Sequence, residues 1–349
     1  MKVCIASYQA VMMLRGGPRT QIFQTKRCLE RLGVQVSLYD SWQELKKDQV
    51  DLVHIFGANI STFHLARVLH LQGIPFVVTP IFYTRRSMGV VKMAMSADKF
   101  IRKFVRGFWS DYAVIAEMCR WAKAVMPNTT EESLLYKEGF NVSPERLSVV
   151  PNGVEKRFYF ARPQLFSKRF GVRNFILNVG HIGPERKNVY RLIQALEGID
   201  RQAVIIGRVE RSDAAKEIID RAKKNPRLKI LESIPHSSDL LASAFAACDV
   251  FVLPSQFETP GLAALEAGLA GAKIVITPHG GTKDYFGQQA EYVDPYSVAS
   301  IRKGIDNALR KRKEFALRER IRKEFLWERV AEKTKAIYDR VLANKKGAT

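Results

Sequence analysis

The chain has 349 residues, of which 46% are hydrophobic and 26% are charged. This length and composition are typical of a globular protein of two domains, and they exclude a mainly disordered chain and a fibrous or repeat architecture. The 56 Lys and Arg residues outnumber the 35 Asp and Glu residues and give a net charge of +21. This excess indicates nucleic acid, an anionic membrane surface or a phosphorylated substrate as the partner.

No apolar run reaches the roughly 18–20 residues that a membrane span needs. The sequence starts directly with a strand-like segment and shows no leader pattern. We therefore expect a cytoplasmic protein. The four cysteines, at positions 4, 28, 119 and 248, form no CxxC pair, so we interpret them as buried thiols in a reducing compartment.

In the first half of the chain, short apolar runs alternate with helical patterns. Strands are predicted at 3–6, 35–39, 52–56 and 76–79, and helices at 20–32 and 61–71. This order of elements predicts a parallel sheet with helices on both faces.

The same alternation restarts in the second half. Strands are predicted at 175–179, 203–206, 228–231, 250–253 and 273–276, and helices at 190–196, 213–224, 238–247 and 262–270. We therefore predict an α/β protein with two Rossmann-like, doubly wound domains that face a central cleft. The irregular, proline- and glycine-containing segment 151–172 is predicted to connect them. Open sheets of this kind bind ligands at the carboxyl ends of their strands.

Two stretches depart from this alternation. Between Arg85 and Trp109, apolar residues recur at helical spacing with basic residues on the other side, which predicts a basic amphipathic helix around 92–106. Such a helix either packs its apolar face on the domain core or lies in an anionic membrane interface. The second stretch, from Arg302 onwards, predicts one or two further amphipathic helices.

The most specific motif spans 254–267. Glu258 and Glu266 are eight residues apart, and Gly261 and Leu262 open a predicted helix between them. The N–H groups and positive dipole of a helix start bind anions, and carboxylates accept hydrogen bonds from hydroxyls. The combination suits a nucleotide sugar. The alternative is a surface loop whose acidic residue stabilises the helix dipole.

A second motif follows the predicted strand at 175–179. It consists of a glycine-bearing loop with His181, and then Arg186 and Lys187 where a helix begins. Because a helix start disfavours cations, an anionic ligand among these side chains would explain their position. A solvated basic turn is the alternative.

A third motif, Arg15-Gly16-Gly17-Pro18, follows the first predicted strand. The two glycines let backbone approach a ligand closely. The motif is not the GxGxxG dinucleotide fingerprint, and a simple turn is the alternative reading.

In this order and position, the three motifs resemble the retaining glycosyltransferases of family four, which have the GT-B fold. Further similar segments are 51–54, 150–154, 280–282, 292–295 and 325–328, so the resemblance extends over nearly the whole chain. It implies an acceptor-side domain over 1–155, a donor-binding domain over 172–320, and a helix at about 325–345 that crosses back onto the first domain.

By this resemblance, Lys187 contacts the donor diphosphate, Glu258 faces the transferred sugar and Glu266 faces the ribose hydroxyls. His181 stands where family members usually have an arginine, and Arg186 adds a cation beside Lys187. The other donor-binding positions that the resemblance implies are Gly16, Gly17, Thr259, Pro260, Gly261 and Leu262.

On the acceptor side the sequence departs from the family. Many members have a histidine in the loop after the fourth strand, but this chain reads Pro-Ile-Phe-Tyr-Thr over 80–84. Tyr83, Arg85 and Arg86 are the alternatives for that role. The histidines at 54, 64, 70, 236 and 279 show no metal-binding spacing, and we interpret them as structural.

The resemblance implies transfer of a sugar from a nucleoside-diphosphate sugar to a saccharide or lipid-linked acceptor hydroxyl, with retention of the anomeric configuration. Synthesis of cell-surface polysaccharide, lipopolysaccharide or glycolipid is the expected context, on the cytoplasmic side and with peripheral membrane association left open. Because the sequence contains no Asp-x-Asp pair, we expect no metal and no cofactor, with cations and amide dipoles stabilising the leaving group.

Two alternatives stay open at this point. A nucleotide-sugar epimerase or a phosphorylase shares the same fold. A nucleic-acid-binding protein would account for the basic charge, although the sequence has no zinc finger, ribonucleoprotein motif or basic arm, and we expect no nucleic-acid partner.

Overall fold

The computed structural model describes residues 1–13, 16–105 and 107–346. The chain divides into two compact units: the first comprises Met1–Gly153 and Trp327–Thr349, and the second comprises Val154–Leu326. Arg15 of the glycine motif and Arg106 of the predicted basic helix lie outside the described residues.

The first unit contains a five-stranded parallel sheet in the order β2-β1-β3-β4-β5. Its strands are β1 (Lys2–Ser7), β2 (Gln35–Leu38), β3 (Leu52–Phe56), β4 (Phe76–Thr79) and β5 (Ala124–Val125). In the register, Val3 lies opposite both Val36 and Leu52. Every residue of β3 is buried, as a central strand with helices on both faces requires.

Among the described residues, the first part of this unit contains five α-helices. They are α1 (Gly17–Arg31), α2 (Ile60–Leu71), α3 (Met88–Ile101), α4 (Asp111–Trp121) and α5 (Thr130–Leu134). Side-chain N-caps explain where several of them begin: Ser87 accepts from the N–H of Val90, and Ser110 accepts from that of Ala113.

The predicted basic helix over 92–106 is wrong in its extent, because α3 ends at Ile101 and turns follow it over 102–105. The buried carboxylate of Asp98 accepts a hydrogen bond from the N–H of Ser110 at 2.8 Å. This bond ties the chain before α4 back onto α3, so the apolar residues after Ile101 do not continue the helix.

The second unit contains a six-stranded parallel sheet in the order β11-β10-β9-β6-β7-β8. Its strands are β6 (Ile176–Val179), β7 (Ala203–Ile206), β8 (Leu228–Leu231), β9 (Val250–Leu253), β10 (Lys273–Ile276) and β11 (Ala290–Tyr292). Its helices are α6 (Gln164–Phe170), α7 (Val189–Leu196), α8 (Asp213–Lys223), α9 (Asp239–Ala247), α10 (Leu262–Leu269), α11 (Thr282–Phe286), α12 (Val298–Arg310) and α13 (Ala316–Glu324).

The segment 151–172, predicted as a connection, is mostly part of the second unit. That unit begins at Val154 and not at 172, and it extends to Leu326 rather than 320. The N–H of Val154 donates to the carbonyl of Phe325 at 2.8 Å. Phe158 and Phe166 are fully buried in the same core. These apolar side chains hold the segment inside the second unit.

The last helix, α14 (Trp327–Lys346), packs on α1 in the first unit. Its residues Trp327 and Val330 share a buried core with Val3 and Leu52 of the sheet. Within the described residues, no helix has both the length and the apolarity that crossing a membrane requires.

Candidate functional site

The order of the strands in the second sheet predicts where a ligand binds. β6 and β9 lie side by side, with Ile176 opposite Val250. From β6 the chain moves outward through β7 and β8, and from β9 it moves outward in the other direction through β10 and β11. The loops that follow β6 and β9 therefore separate at a topological switch point, where open α/β sheets bind their ligands.

The loop after β6 carries the basic motif and is anchored by Asn188. This residue adopts the left-handed conformation, with φ 57°, which asparagine tolerates better than most residues. Its side-chain amide donates to the carbonyls of Pro254 at 2.8 Å and Pro295 at 2.6 Å. The loop after β6 is thus fastened to the loop after β9.

Lys187 and Glu258 form the central contact of the site. The Lys187 Nζ lies 2.6 Å from Glu258 Oε1, and the Arg186 Nη1 lies 3.5 Å from the same oxygen. The Glu258 side chain is 8% exposed, against 41% for Arg186. Arg186 also donates to the carbonyl of Phe257 at 3.0 Å. Two cations therefore converge on one buried carboxylate.

Glu258 is ionised at neutral pH in this environment. Burial on its own raises the pKa of the Glu258 carboxyl, but the charges of Lys187 and Arg186 and the hydrogen bond from Lys187 lower it by more, so that the pKa lies below its ordinary value. The site consequently presents a fixed negative charge between two positive ones.

A loop after β10 contacts the backbone of Glu258. The Glu258 N–H donates to the carbonyl of His279 at 3.1 Å. Gly280 has φ 92°, and a Cβ at this position would lie 2.4 Å from the Glu258 carbonyl oxygen. Glycine is therefore required here both by the backbone conformation and by the close approach of the two loops.

Glu266 lies in the second turn of α10 and is paired with a residue that the sequence analysis assigned as structural. Its Oε1 lies 2.6 Å from Nε2 of His236, and the Glu266 side chain is 9% exposed. His236 comes from the loop between β8 and α9 and is 30 positions away in sequence. Spacing along the chain gave no signal for this pair, which only the folded sheet brings together.

The remaining predicted donor positions fall at the start of α10. Thr259 and Pro260 are joined by a cis peptide bond, and Gly261, with φ 83°, is the N-cap before Leu262. The first N–H groups of a helix have no acceptor within the helix. Gly261 also packs closely, because a Cβ on it would lie 3.1 Å from Leu253.

Three further predicted positions lie on other segments of the chain. His181 is exposed in the loop after β6, although the neighbouring Ile182 N–H anchors that loop on the Arg208 carbonyl at 2.9 Å. Gly16 and Gly17 belong to the first unit, where α1 begins at Gly17.

The acceptor-side alternatives also belong to the first unit and follow β4. Arg85 and Arg86 are exposed, and Tyr83 is partly buried. The N–H of Arg86 donates to Oγ1 of Thr84 at 3.2 Å. Among the described residues, no group of three or more His, Cys, Asp or Glu side chains is arranged to hold a metal ion.

Comparison with known proteins adds independent information on this fold. The family described as glycosyl transferases group 1 matches residues 164–324. The MMP alpha-(1->4)-mannosyltransferase of Mycolicibacterium hassiacum is 30% identical over 298 residues, which cover 78% of this chain and 67% of that protein. The chain spans about half the length of other curated relatives that it matches, from 44% to 61%.

Solved structures of low sequence identity share the architecture. Sucrose-phosphate synthase from Thermosynechococcus elongatus has a TM-score of 0.76 at 17% identity, covering 99% of this chain and all of that one. HepE from Anabaena, solved in complex with UDP and glucose, has a TM-score of 0.68 at 15% identity and covers 97% and 99% of the two chains. The chain belongs to the glycosyl transferases group 1 family and is a glycosyltransferase with the GT-B fold.

Proposed function

We propose that this glycosyltransferase moves a sugar from a nucleoside-diphosphate sugar to an acceptor hydroxyl, with retention of the anomeric configuration. The observation that carries the proposal is the cluster of Lys187, Arg186 and Glu258 at the carboxyl ends of β6 and β9. HepE, which shares the fold, was solved with UDP and glucose, and that ligand pair supports a donor of this class.

The two cations match the charge that develops on the leaving group. When the anomeric C–O bond breaks, the electron pair goes to the diphosphate, whose negative charge increases. Lys187 and Arg186 are preorganised to stabilise that charge, with the N–H groups at the start of α10 as further donors. The reaction therefore requires no divalent ion in this proposal, and the donor is a co-substrate rather than a cofactor.

Glu258 acts on the sugar that separates from the diphosphate. The sugar becomes positively charged as the bond breaks, and the ionised carboxylate of Glu258 stabilises that charge and orients the ring. Attack by the acceptor hydroxyl on the face that the leaving group vacates gives retention, and the hydroxyl proton passes to the departing diphosphate. In this arrangement Glu258 balances the two cations before the donor binds and faces the sugar afterwards.

The remaining predicted positions complete the donor site in this proposal. Glu266 accepts hydrogen bonds from the ribose hydroxyls, and the backbone over 259–262 contacts the donor. Gly16 and Gly17 offer backbone N–H groups to the diphosphate, and His181 adds a hydrogen-bond donor. The acceptor-side group comes from Tyr83, Arg85 or Arg86.

We further propose that the acceptor is lipid-linked and that α3 and the turn after it rest on an anionic membrane. Three apolar side chains on this surface are largely exposed, at 67% for Met93, 62% for Phe100 and 74% for Phe104. Lys99 and Lys103 are exposed among them. Apolar side chains with interspersed lysines fit the interface of an anionic bilayer. This setting suits the synthesis of cell-surface polysaccharide, lipopolysaccharide or glycolipid on the cytoplasmic face.

Vesicle flotation tests the membrane contact. We expect binding to vesicles that contain phosphatidylglycerol and not to vesicles of phosphatidylcholine alone. Replacing both Lys99 and Lys103 by alanine weakens binding by about 1 kcal/mol per lysine, or roughly fivefold each. The matched control replaces the exposed Lys216 and Lys224 of the second unit. Equal binding to both vesicle types contradicts the proposal.

The central experiment identifies the donor and the stereochemistry. Thermal shifts with UDP, GDP and ADP select the nucleotide, because a ligand at a hundredfold excess over its Kd stabilises the protein by about 2.7 kcal/mol. Proton NMR of the product then reports the anomeric configuration, and turnover is compared with and without a chelator. An inverted product, or loss of turnover in the chelator, overturns the corresponding part of the proposal.

A further inference from the structure

His236 is held in a network that joins three parts of the second unit. Its Nε2 lies 2.6 Å from Glu266 Oε1 on α10, and its Nδ1 lies 3.8 Å from Glu155 Oε1. Arg157 donates to the His236 carbonyl and, through Nε, lies 3.4 Å from the same Glu155 oxygen. The ring of Phe158 lies edge-on to the imidazole, with centroids 5.9 Å apart. A short hydrogen bond therefore holds Nε2 of the imidazole, while Nδ1 lies within ion-pair distance of Glu155, and the His236 side chain is 46% exposed.

The chemistry of the contact defines what His236 does to Glu266. A carboxylate accepts hydrogen bonds and donates none, so the short contact places a proton on Nε2. One of the two Glu266 oxygens is then occupied by the imidazole, which fixes the side-chain rotamer and leaves the second oxygen to accept from another donor. A carboxylate held in this way loses less rotational freedom when a ligand hydroxyl binds to it.

We propose that His236 is a positioning residue for Glu266, and that it sets how strongly the site holds the ribose hydroxyls of the donor. The inference rests on the proposed function, in which Glu266 accepts hydrogen bonds from the ribose. His236 itself does not touch the reacting atoms.

The charges around the imidazole make this positioning dependent on pH. Glu266 on α10 and Glu155 on the segment before Phe158 are the acidic groups that face it, and Arg157 is the basic one. The hydrogen bond to Glu266 and the charges of Glu266 and Glu155 raise the pKa of His236 above its ordinary value, against burial and Arg157, which lower it. The doubly protonated ring donates to Glu266 and places its positive charge near Glu155, whose Oε1 lies 3.8 Å from Nδ1. The neutral ring keeps one proton and directs a lone pair at the other carboxylate.

Deprotonation of His236 therefore loosens Glu266 as the pH rises. The stronger hydrogen bond from the charged imidazole to Glu266 is lost at pH values above 6.5, because the pKa of His236 in the folded protein is raised above that value. A hydrogen bond from a charged donor is stronger than one from a neutral donor, and the difference corresponds to about a fivefold change in affinity. We expect the KM of the donor to rise by roughly this factor across the titration, with little change in kcat.

The test compares a nucleoside diphosphate with its 2′,3′-dideoxy form, using whichever of UDP, GDP and ADP binds the wild-type protein most tightly. Calorimetry gives the Kd of both forms for wild type, His236→Ala, His236→Gln and Glu266→Ala. We expect His236→Ala to weaken the ribonucleotide about tenfold and the dideoxy form less than twofold. We expect Glu266→Ala also to weaken the ribonucleotide more than the dideoxy form. The double variant should lose no more affinity for the ribonucleotide than Glu266→Ala alone.

The glutamine variant separates positioning from general structure. The side-chain amide introduced by His236→Gln keeps a neutral donor for Glu266, so this variant retains most of the selectivity for the ribonucleotide but loses the pH dependence of the KM. His64→Gln, on the exposed side of α2, is the control for a histidine outside the network. Thermal unfolding of each variant confirms that the protein is folded.

Two failures are distinguishable. If the wild-type protein binds both nucleotide forms equally, or if Glu266→Ala has no effect on selectivity, the assignment of Glu266 to the ribose is wrong, and this inference falls with it. If Glu266→Ala removes the selectivity while His236→Ala leaves it and the pH profile unchanged, the proposed function stands and the positioning role of His236 is overturned.

Discussion

The ammonium group of Lys187 lies 2.6 Å from Oε1 of Glu258, whose side chain is 8% exposed. The two residues are 71 positions apart, and each stands on a loop at the carboxyl end of one of two adjacent strands. The charge of one therefore sets the electrostatic environment of the other. A substitution at either position changes what the remaining partner does toward a diphosphate.

Replacing Lys187 by alanine removes one of the two cations that face the leaving group in the proposed mechanism. We expect kcat to fall by about 100–1,000-fold, equivalent to roughly 2.7–4 kcal/mol of transition-state stabilisation. Steady-state kinetics with the identified donor measures the loss.

The control for this variant is Lys216→Ala, which removes an exposed lysine of α8. Circular dichroism and unfolding curves show whether Lys187→Ala keeps the native fold. Turnover within a factor of three of wild type in a folded Lys187→Ala protein would refute the role assigned to Lys187.

Replacing Glu258 by glutamine separates binding of the nucleotide from catalysis. The substitution removes the negative charge between Lys187 and Arg186, so both cations are left to the diphosphate. We expect the nucleoside diphosphate to bind as tightly as before or up to about tenfold more tightly, while kcat falls by about 100-fold or more. Calorimetry and product assays give the two quantities, with the exposed Glu217→Gln as the control. Weaker nucleotide binding would contradict this account of the charges.

Replacing Gly280 by alanine tests the backbone support of Glu258. The new Cβ would lie 2.4 Å from the Glu258 carbonyl oxygen, so the loop that carries the carboxylate must move. Because a displacement of about 1 Å in a catalytic group can cost a hundredfold in rate, we expect a large loss of turnover. Overpacking lowers the free energy of unfolding by a further 1–3 kcal/mol or so.

A second glycine provides the matched control. Gly271 has φ 95°, close to the 92° of Gly280, but a Cβ there would meet no atom within 4 Å. Gly271→Ala thus carries the same backbone strain, about 1–2 kcal/mol, without contact to the site. Its unfolding midpoint falls while its kcat stays at the wild-type value. Equal turnover in both variants would show that the contact with Glu258 is unimportant.

His54 makes the first unit sensitive to acid. It is buried, its Nδ1 lies 2.6 Å from the Tyr338 hydroxyl and its Nε2 lies 2.9 Å from the Thr79 hydroxyl. Burial lowers the pKa of His54 from 6.5 to about 3. Below pH 6.5 the unfolded chain takes up a proton that the folded protein does not, so stability is lost progressively as the pH falls toward 3.

The size of this effect follows from the linkage of protonation to folding. Between pH 6.5 and 5 the contribution of His54 to the free energy of unfolding falls by about 1.6 kcal/mol. Urea unfolding at both pH values measures it, and His54→Gln, which keeps hydrogen-bonding groups but does not titrate, serves as the reference. The same pH dependence in both proteins would exclude His54 as its source.

Most strands of the two sheets were predictable because their apolar runs are continuous. The predicted strands at 52–56, 203–206 and 250–253 have the bounds that the structure gives them. The two-residue strand β5 and the short, half-buried strand β11 were missed, because so few residues show no periodicity. The basic helix was predicted too far along the chain, at 92–106 instead of Met88–Ile101, since the hydrogen bond between Asp98 and Ser110 that ties the following chain back onto it joins residues 12 positions apart.

The candidate site was predictable to a different degree for each residue. Glu258 and Lys187 stand in motifs next to strands, so that parallel pairing alone places their loops at one edge of the sheet. His236 has no such motif, and its contacts with Glu266 and Glu155 arise from packing between loops that are distant in sequence. The spacing of the histidines along the chain therefore gave no signal for this hydrogen bond.

The division of the first unit between Met1–Gly153 and the helix from Trp327 has a consequence for how the protein is made. Domains fold as units while the chain is synthesised, and the second unit is a single uninterrupted stretch that can do so as it emerges. The first unit cannot complete its core until the end of the chain is made, because Trp327 and Val330 cover the face of its sheet that holds Val3 and Leu52. Until translation reaches Trp327 and Val330, this apolar face lacks the side chains that cover it in the folded protein.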